Sequence, residues 1–215
     1  MYPKFEKGYC LNLLSWKEVS NIINIRPLMS ASRVRVFGEE TTFTWKNNYW
    51  CSDANCYPSG ILEQVIEESG VCYFTDMSRA TEKINEFAKN LEDEYDQEVD
   101  AHIYLCRNLE PRHPFEIHFD VSDNVIVQCE GQTNFKIWEA VSNPKELLNG
   151  KNDVRMETDK EPILDVDMNP GDAIWIPRYY PHLATSHTQR LSVSFPFNRK
   201  IDSTRREDRH WIKYD

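Results

Sequence analysis

The sequence predicts a mainly β protein in one domain: a small barrel with helices packed outside it. Three observations lead there. Residues 1–99 carry apolar residues at helical spacing, mixed with one strand pattern. From residue 100 to 197 the apolar period changes to two, in short runs separated by turn residues. The 215 residues suffice for one sizeable core, and no second domain's worth of periodic sequence is present. The reading is a single domain over 1–215, with a helical and mixed layer at 1–99, the barrel core at 100–197 and a short charged tail at 198–215.

The elements follow in order. Ser15-Trp-Lys-Glu18 is a capping box, and Trp16, Val19, Ile22 and Ile23 recur at helical spacing until Pro27 ends the segment. Arg33 to Phe37 alternates polar and apolar as a half-buried strand does, and Gly38 stops it. Residues 61–68 and 79–95 each present one apolar stripe on an acidic surface, the second through Ile84, Phe87, Ala88, Leu91 and Tyr95. These stripes predict packing against a sheet. Beyond residue 100, strands are expected over His102–Cys106, Asn124–Cys129, Asn134–Trp138, Ala173–Ile176 and Arg190–Phe195. Turns are expected at Gly131, Asn143-Pro144, Asn149-Gly150 and Pro170-Gly171.

Composition excludes several classes. A net charge of −10 and a pI near 5.1 argue against a surface built for nucleic acid. The six cysteines include no Cys-x-x-Cys pair, in a chain large enough to fold without disulfides. They are expected to be reduced thiols in a cytoplasmic compartment. Cys51 and Cys56 flank a polar loop, but no second Cys/His pair sits at zinc-site spacing. No apolar run reaches membrane-spanning length and the N-terminus has no signal-type apolar stretch, so a soluble, unexported protein with no membrane partner is expected. Nothing in the sequence specifies an oligomeric state.

The chemistry lies in His118-Phe119-Asp120, on a strand, with His182 far downstream in Ile-Pro-Arg-Tyr-Tyr-Pro-His. Side chains alternate faces along a strand, so His118 and Asp120 point the same way and Phe119 the other. A barrel brings distant strands side by side and so delivers His182 to them. Two imidazoles and one carboxylate occupy one face of an iron(II) ion and leave the opposite positions open. His118, Asp120 and His182 are therefore the candidate metal ligands and catalytic centre.

In combination, His118-Phe-Asp120 with Asn124, Gln128 and Gly131, Phe135-Lys-Ile-Trp138, Asn169-Pro-Gly-Asp-Ala-Ile-Trp-Ile-Pro177 with His182, and Leu191-Ser-Val-Ser-Phe195 resemble the cupin-like JmjC branch of iron(II)/2-oxoglutarate oxygenases. That branch includes asparaginyl and ribosomal-protein hydroxylases. The resemblance covers residues 100–197; Leu13-Leu-Ser-Trp16 and the strand at 33–37 also resemble the ribosomal-oxygenase subgroup. It implies a double-stranded β-helix (cupin or jelly-roll) core, with Fe(II) held by His118, Asp120 and His182 and 2-oxoglutarate as cosubstrate. It also implies that Asn124, six residues after the first ligand, contacts the cosubstrate, with Tyr104 sharing the pocket wall. For both residues a structural hydrogen bond is an equal alternative. The Pro170-Gly171-Asp172 turn is expected to be structural, and Trp175 and Tyr179 to pack.

One position departs from the pattern. Relatives of this type place a Lys or Arg two residues after the glycine matching Gly131, to anchor the distal carboxylate of 2-oxoglutarate; here that residue is Thr133. A hydroxyl cannot balance the charge of a buried carboxylate. Lys136 has the wrong strand parity unless a bulge intervenes. Arg190 shares parity with Ser192 and Ser194 and carries a planar fork that suits a carboxylate. Two readings of Arg190 stand: cosubstrate anchor, aided by Thr133 and Ser192, or exposed strand-start charge paired with an acidic neighbour.

The expected function is an iron(II)- and 2-oxoglutarate-dependent hydroxylase of a peptide or protein side chain or a small amino-acid-like molecule. The short stretch after the barrel is expected to leave out the C-terminal modules of larger ribosomal oxygenases, which argues against a ribosomal substrate. The alternative is a non-catalytic cupin-type metal- or small-ligand-binding protein in which Thr133 records loss of 2-oxoglutarate binding.

Overall fold

The structure, a computed structural model, describes residues 2–22, 34–37, 71–74, 77–106, 116–148, 153–186 and 188–200. Among these, two antiparallel sheets face each other. The larger runs β1 (Lys4–Glu6), β11 (Ala173–Ile176), β7 (Asn124–Glu130), β13 (Arg190–Lys200), β5 (His102–Cys106), β3 (Val71–Phe74) and β2 (Val34–Phe37), with β4 (Gln97–Val99) also on β13. The smaller runs β10 (Leu164–Met168), β8 (Thr133–Ile137), β12 (His182–Ser186), β6 (His118–Asp120) and β9 (Asp153–Arg155).

Strand alternation divides the core in two. Ile126, Ile174 and Ile176 from the large sheet meet Phe135, Ile137 and Met168 from the small one, filling the space between the sheets. The opposite face of the large sheet presents Val125, Val127, Trp175, Leu191, Val193 and Phe195 to the helical layer. Helix α1 (Trp16–Ile22) contributes Val19 and Ile22, and α2 (Glu82–Tyr95) contributes Ile84, Ala88 and Leu91. The predicted stripe on α2 therefore packs as expected.

Local chemistry explains the helix ends. The Ser15 amide donates to Glu18 Oε2 at 2.8 Å and the Glu18 amide to Ser15 Oγ at 3.3 Å, closing the capping box. Thr81 caps α2 by accepting from the Ile84 amide at 3.1 Å, and Asp96 ends it in the left-handed region at φ 51°.

Several expectations change. The N-terminal segment supplies strands to the large sheet as well as helices: β1, β3 and β4 pair with β11, β5 and β13, and β2 pairs with β3. Three-residue strands such as β1, β4 and β9 are too short for a period of two to register, and pairing partners define them instead. The turn expected at Asn143-Pro144 opens helix α3 (Pro144–Leu148), with Pro at the first helical position, where its missing N–H costs nothing. The strand at Arg190 continues past Phe195 to Lys200, where β4 gives it a third partner besides β5 and β7. The segment at 61–68, the part of the first helix beyond residue 22, Cys51, Cys56 and the tail after residue 200 lie outside the described residues.

Gly131 fixes how the β7–β8 turn sits on the chain leading into β13. Its φ is +73°, and a Cβ there would lie 1.7 Å from the Gln189 carbonyl oxygen. The Gln132 amide donates to Thr188 Oγ1 at 2.8 Å across the same contact. Gly131→Ala is therefore expected to destabilise the protein by roughly 2–3 kcal/mol, from the strained φ and from a backbone that must move. Urea unfolding at pH 7 measures this; a midpoint equal to wild type would rule the contact out.

Candidate metal centre

The register of the small sheet builds the site. His182 on β12 lies opposite His118 on β6 and opposite Ile137 on β8. Phe119 is fully buried on the other face of β6, the alternation expected of a His-x-Asp strand. Ligand atoms of His118, Asp120 and His182 all lie within 4.8 Å of one another, and the two imidazole centroids are 4.4 Å apart.

Both rings are oriented in the same way. His118 Nδ1 lies 2.9 Å from the Glu116 carbonyl and His182 Nδ1 lies 3.0 Å from the Tyr180 carbonyl, each two residues upstream. With Nδ1–H donating to a carbonyl, the tautomer leaves the Nε2 lone pairs unprotonated and available to a metal. His182 Nε2 is 3.8 Å from Asp120 Oδ2. This donor set fits a divalent ion of the iron type, with open positions on the side away from the protein ligands.

Backbone and side-chain ties hold the two ligand strands together. The Tyr179 amide donates to the Asp120 carbonyl at 2.9 Å, and Tyr179 itself takes a left-handed φ of 69°. Asp123 accepts from the Arg178 amide at 2.8 Å and from its Nη2 at 3.0 Å, locking the loop after Asp120 to the turn before His182. Sequence reasoning missed this brace because neither residue stands out in a linear pattern. Asp172 accepts from the Gly8 and Asn169 amides, which makes the Pro170-Gly171-Asp172 turn structural as expected. Trp175 packs edge-on to Tyr9 at 4.7 Å, and Phe119 lies 6.2 Å from Tyr179.

The other candidates divide by strand parity. Arg190 is 7% exposed, and Ser192 and Thr133 are fully buried. Arg190 Nε donates to Ser192 Oγ at 3.1 Å. Its guanidinium carbon lies 5.9 Å from the Tyr104 ring and 5.6 Å from the Phe135 ring. The alternative of an exposed strand-start charge is thus overturned, because Arg190 has the inward parity of Ser192. Lys136 points outward, 3.4 Å from Asp165 on the surface. Asn124 Oδ1 accepts from Ser194 Oγ at 2.8 Å, so Asn124 does make the structural hydrogen bond. His102 is half-buried with Nε2 3.1 Å from Asp100 Oδ2, on β5 rather than among the ligands.

A family model described as JmjC domain matches residues 77–204. This chain belongs to the JmjC domain family. It is 32% identical over 87 residues to a Caenorhabditis elegans protein named bifunctional lysine-specific demethylase and histidyl-hydroxylase NO66, a match covering 37% of this chain and 12% of that protein. Its fold is similar to that of Escherichia coli YcfD, a ribosomal oxygenase solved with cobalt and 2-oxoglutarate: TM-score 0.62 at 13% identity, over 97% of this chain and 51% of that one. A second YcfD structure gives a TM-score of 0.61 at 16% identity, over 94% and 50%. The chain thus spans about half the length of the YcfD chains and about an eighth of the C. elegans protein.

Burial, together with the neighbouring His118, brings the His182 imidazole down to about 4, against the opposing pull of Asp120 and the Tyr180 carbonyl. The ring is neutral at neutral pH, the form that ligates a metal. In the unfolded chain it titrates near 6.5, so between the two values the unfolded chain holds more protons. Its contribution to stability is complete above about pH 6.5 and is lost as pH falls through 4. The expected outcome is that metal-free protein loses more stability between pH 7 and pH 4 than His182→Asn does. Urea unfolding across that range measures it, and equal slopes for the two proteins would contradict a buried neutral imidazole.

Proposed function

We propose that this chain is an iron(II)- and 2-oxoglutarate-dependent hydroxylase. The observation that carries the reading is the convergence of His118, Asp120 and His182 on two paired strands of a JmjC barrel, with both imidazoles tied at Nδ1 so that Nε2 is left for a common ion. The cobalt and 2-oxoglutarate bound in the YcfD structure support the same pair of cofactors here. When bound, iron(II) with 2-oxoglutarate and dioxygen supplies the oxidation, in which the 2-oxo acid is decarboxylated to succinate and a substrate C–H bond is hydroxylated.

The residues of the chain have distinct tasks in this reading. His118, Asp120 and His182 hold the ion by one face and leave the other for exchangeable ligands. The Asp123–Arg178 brace and the Tyr179 tie to Asp120 keep the ligand strands in register as those ligands come and go. Asn124, whose Oδ1 is taken by Ser194, has its amide NH2 left to donate to an oxygen of the cosubstrate. Ile126, Ile174 and Ile176 pack with Phe135 and Ile137, the latter level with His182, and keep that part of the interior apolar.

A peptide or protein side chain is the substrate class best supported, since both similar proteins carry names of enzymes that act on proteins or ribosomes. An acidic chain suits a basic segment better than nucleic acid. A small amino-acid-like substrate is the alternative within the same chemistry. Among the described residues no helix is long and apolar enough to cross a membrane.

The test is succinate formation from 2-oxoglutarate with iron(II), read alongside metal affinity. Asp120→Ala, His118→Ala and His182→Ala are each expected to lower turnover at least a hundredfold and to weaken manganese binding, while circular dichroism keeps the β signature. Full metal affinity in Asp120→Ala would overturn the ligand assignment. Wild-type protein that binds metal but neither binds nor consumes 2-oxoglutarate would favour the non-catalytic cupin reading.

A further inference from the structure

The space between the sheets holds a buried cation, Arg190, with no counter-ion among the described residues. Arg190 keeps its charge under all ordinary conditions, is 7% exposed, and among the described residues has no carboxylate within ion-pair distance. Among the described residues only its Nε is engaged, by Ser192 Oγ at 3.1 Å, and neither terminal NH2 group of the fork has a partner there, which leaves both to an incoming acceptor. Tyr104 and Phe135 flank the guanidinium and hold its plane. Burial pulls its pKa down, with Cys106 and Tyr104 opposing. A charge left in this state is strongly unfavourable unless an anion completes it.

Among the described residues two more buried polar atoms lack a partner, Thr133 Oγ1 and Gln128 Oε1. Thr133 stands on the same face of β8 as Phe135, and Gln128 lies opposite Ser192 on β7. The Thr133 hydroxyl is a donor to an anion. The Gln128 oxygen is an acceptor and calls for a bridging water. The close contact of Gly131 with Gln189 carries Thr133 and Arg190 to the same end of the barrel. Along β8, Ile137 is level with His182, and Phe135, beside the guanidinium, is two residues away, about 7 Å of strand. A five-carbon 2-oxo acid with a carboxylate at each end bridges that gap.

We propose that the cation anchoring the distal carboxylate of 2-oxoglutarate has moved in this chain from β8 to β13: Arg190, with Ser192 and Thr133, does what a basic residue at position 133 would otherwise do. This rests on the function proposed above and names the residues that select its cosubstrate. Two inward positions on facing strands open onto one end of the barrel, so either can supply the charge, and the site needs only one. A basic residue at 133 beside Arg190 would place two like charges in a dry pocket. The pair Thr133 and Arg190 is therefore a matched exchange, and selectivity follows from length. Oxaloacetate is too short to reach Arg190 while chelating the metal, and a 2-oxo monocarboxylate has nothing to offer it.

The test is calorimetric titration of 2-oxoglutarate into the manganese-loaded full chain, which reads binding without turnover. Arg190→Met is expected to weaken binding at least tenfold, about 1.4 kcal/mol. Lys136→Met is expected to stay within twofold of wild type. The double variant R190M/T133R is expected to regain most of the loss, which a merely structural role for Arg190 would not produce. Metal-loaded, ligand-free Arg190→Met is also expected to melt no lower than wild type, since it loses an unpaired buried charge. If it does not fold, Arg190→Lys keeps the charge without the fork and is expected to bind severalfold more weakly. Wild-type affinity in Arg190→Met or Arg190→Lys, or a larger loss in Lys136→Met, would overturn the exchange while leaving the hydroxylase reading intact. Failure of wild-type protein to bind 2-oxoglutarate with manganese in place would instead sink the function on which it rests.

Discussion

The pairing of β12 between β6 and β8 places His182 opposite His118 on one side and Ile137 on the other, and the metal centre and its pocket follow from that register. A slip of one residue would turn His182 to the far face and replace it with Leu183. The same register sets the depth scale of the barrel interior, because Phe135 and then Thr133 follow Ile137 inward on β8. The register has its own supports. The Asp123–Arg178 brace and the Tyr179–Asp120 backbone bond lie where β6 and β12 begin to diverge. Their value lies in keeping three ligand atoms on one point, since exposed ion pairs add little stability.

Polar groups within the two-sheet core follow a simple division. Alternation sends Val125, Val127, Val193 and Phe195 to the helical layer, where a dry apolar contact stabilises the fold. The intervening residues, Asn124, Gln128, Ser192, Ser194 and Arg190, face inward. Some of these are satisfied within the protein, as Asn124 is by Ser194. Gln128 Oε1, opposite Ser192, has no partner among the described residues, and neither has the fork of Arg190 beyond its Nε. Folding has accepted a cost there that no interaction among the described residues offsets, which is characteristic of a ligand site.

Much of the site was legible in the sequence because it depends on local periodicity. His118, Phe119 and Asp120 divide between faces by parity alone, and parity also separated Arg190 and Thr133 from Lys136. Helix α2 was visible through Ile84, Ala88 and Leu91, and α1 through its capping box. The short strands β1, β4 and β9 were not, since three residues hold no period and their conformation is imposed by a neighbour. Helix α3 was read as a turn because Asn-Pro marks both a turn and a helix start.

By itself, then, the sequence determined which residue types can ligate a metal, which face of its strand each occupies, and that the core is a barrel under helices. Those properties repeat every two or four residues and need no distant partner. Only the tertiary structure decided that both imidazoles present Nε2, that Asp123 and Arg178 tie the ligand strands together, and that Arg190 lies buried between Tyr104 and Phe135 without a carboxylate among the described residues. Each of these depends on where a residue remote in sequence comes to lie, and long-range packing sets that position.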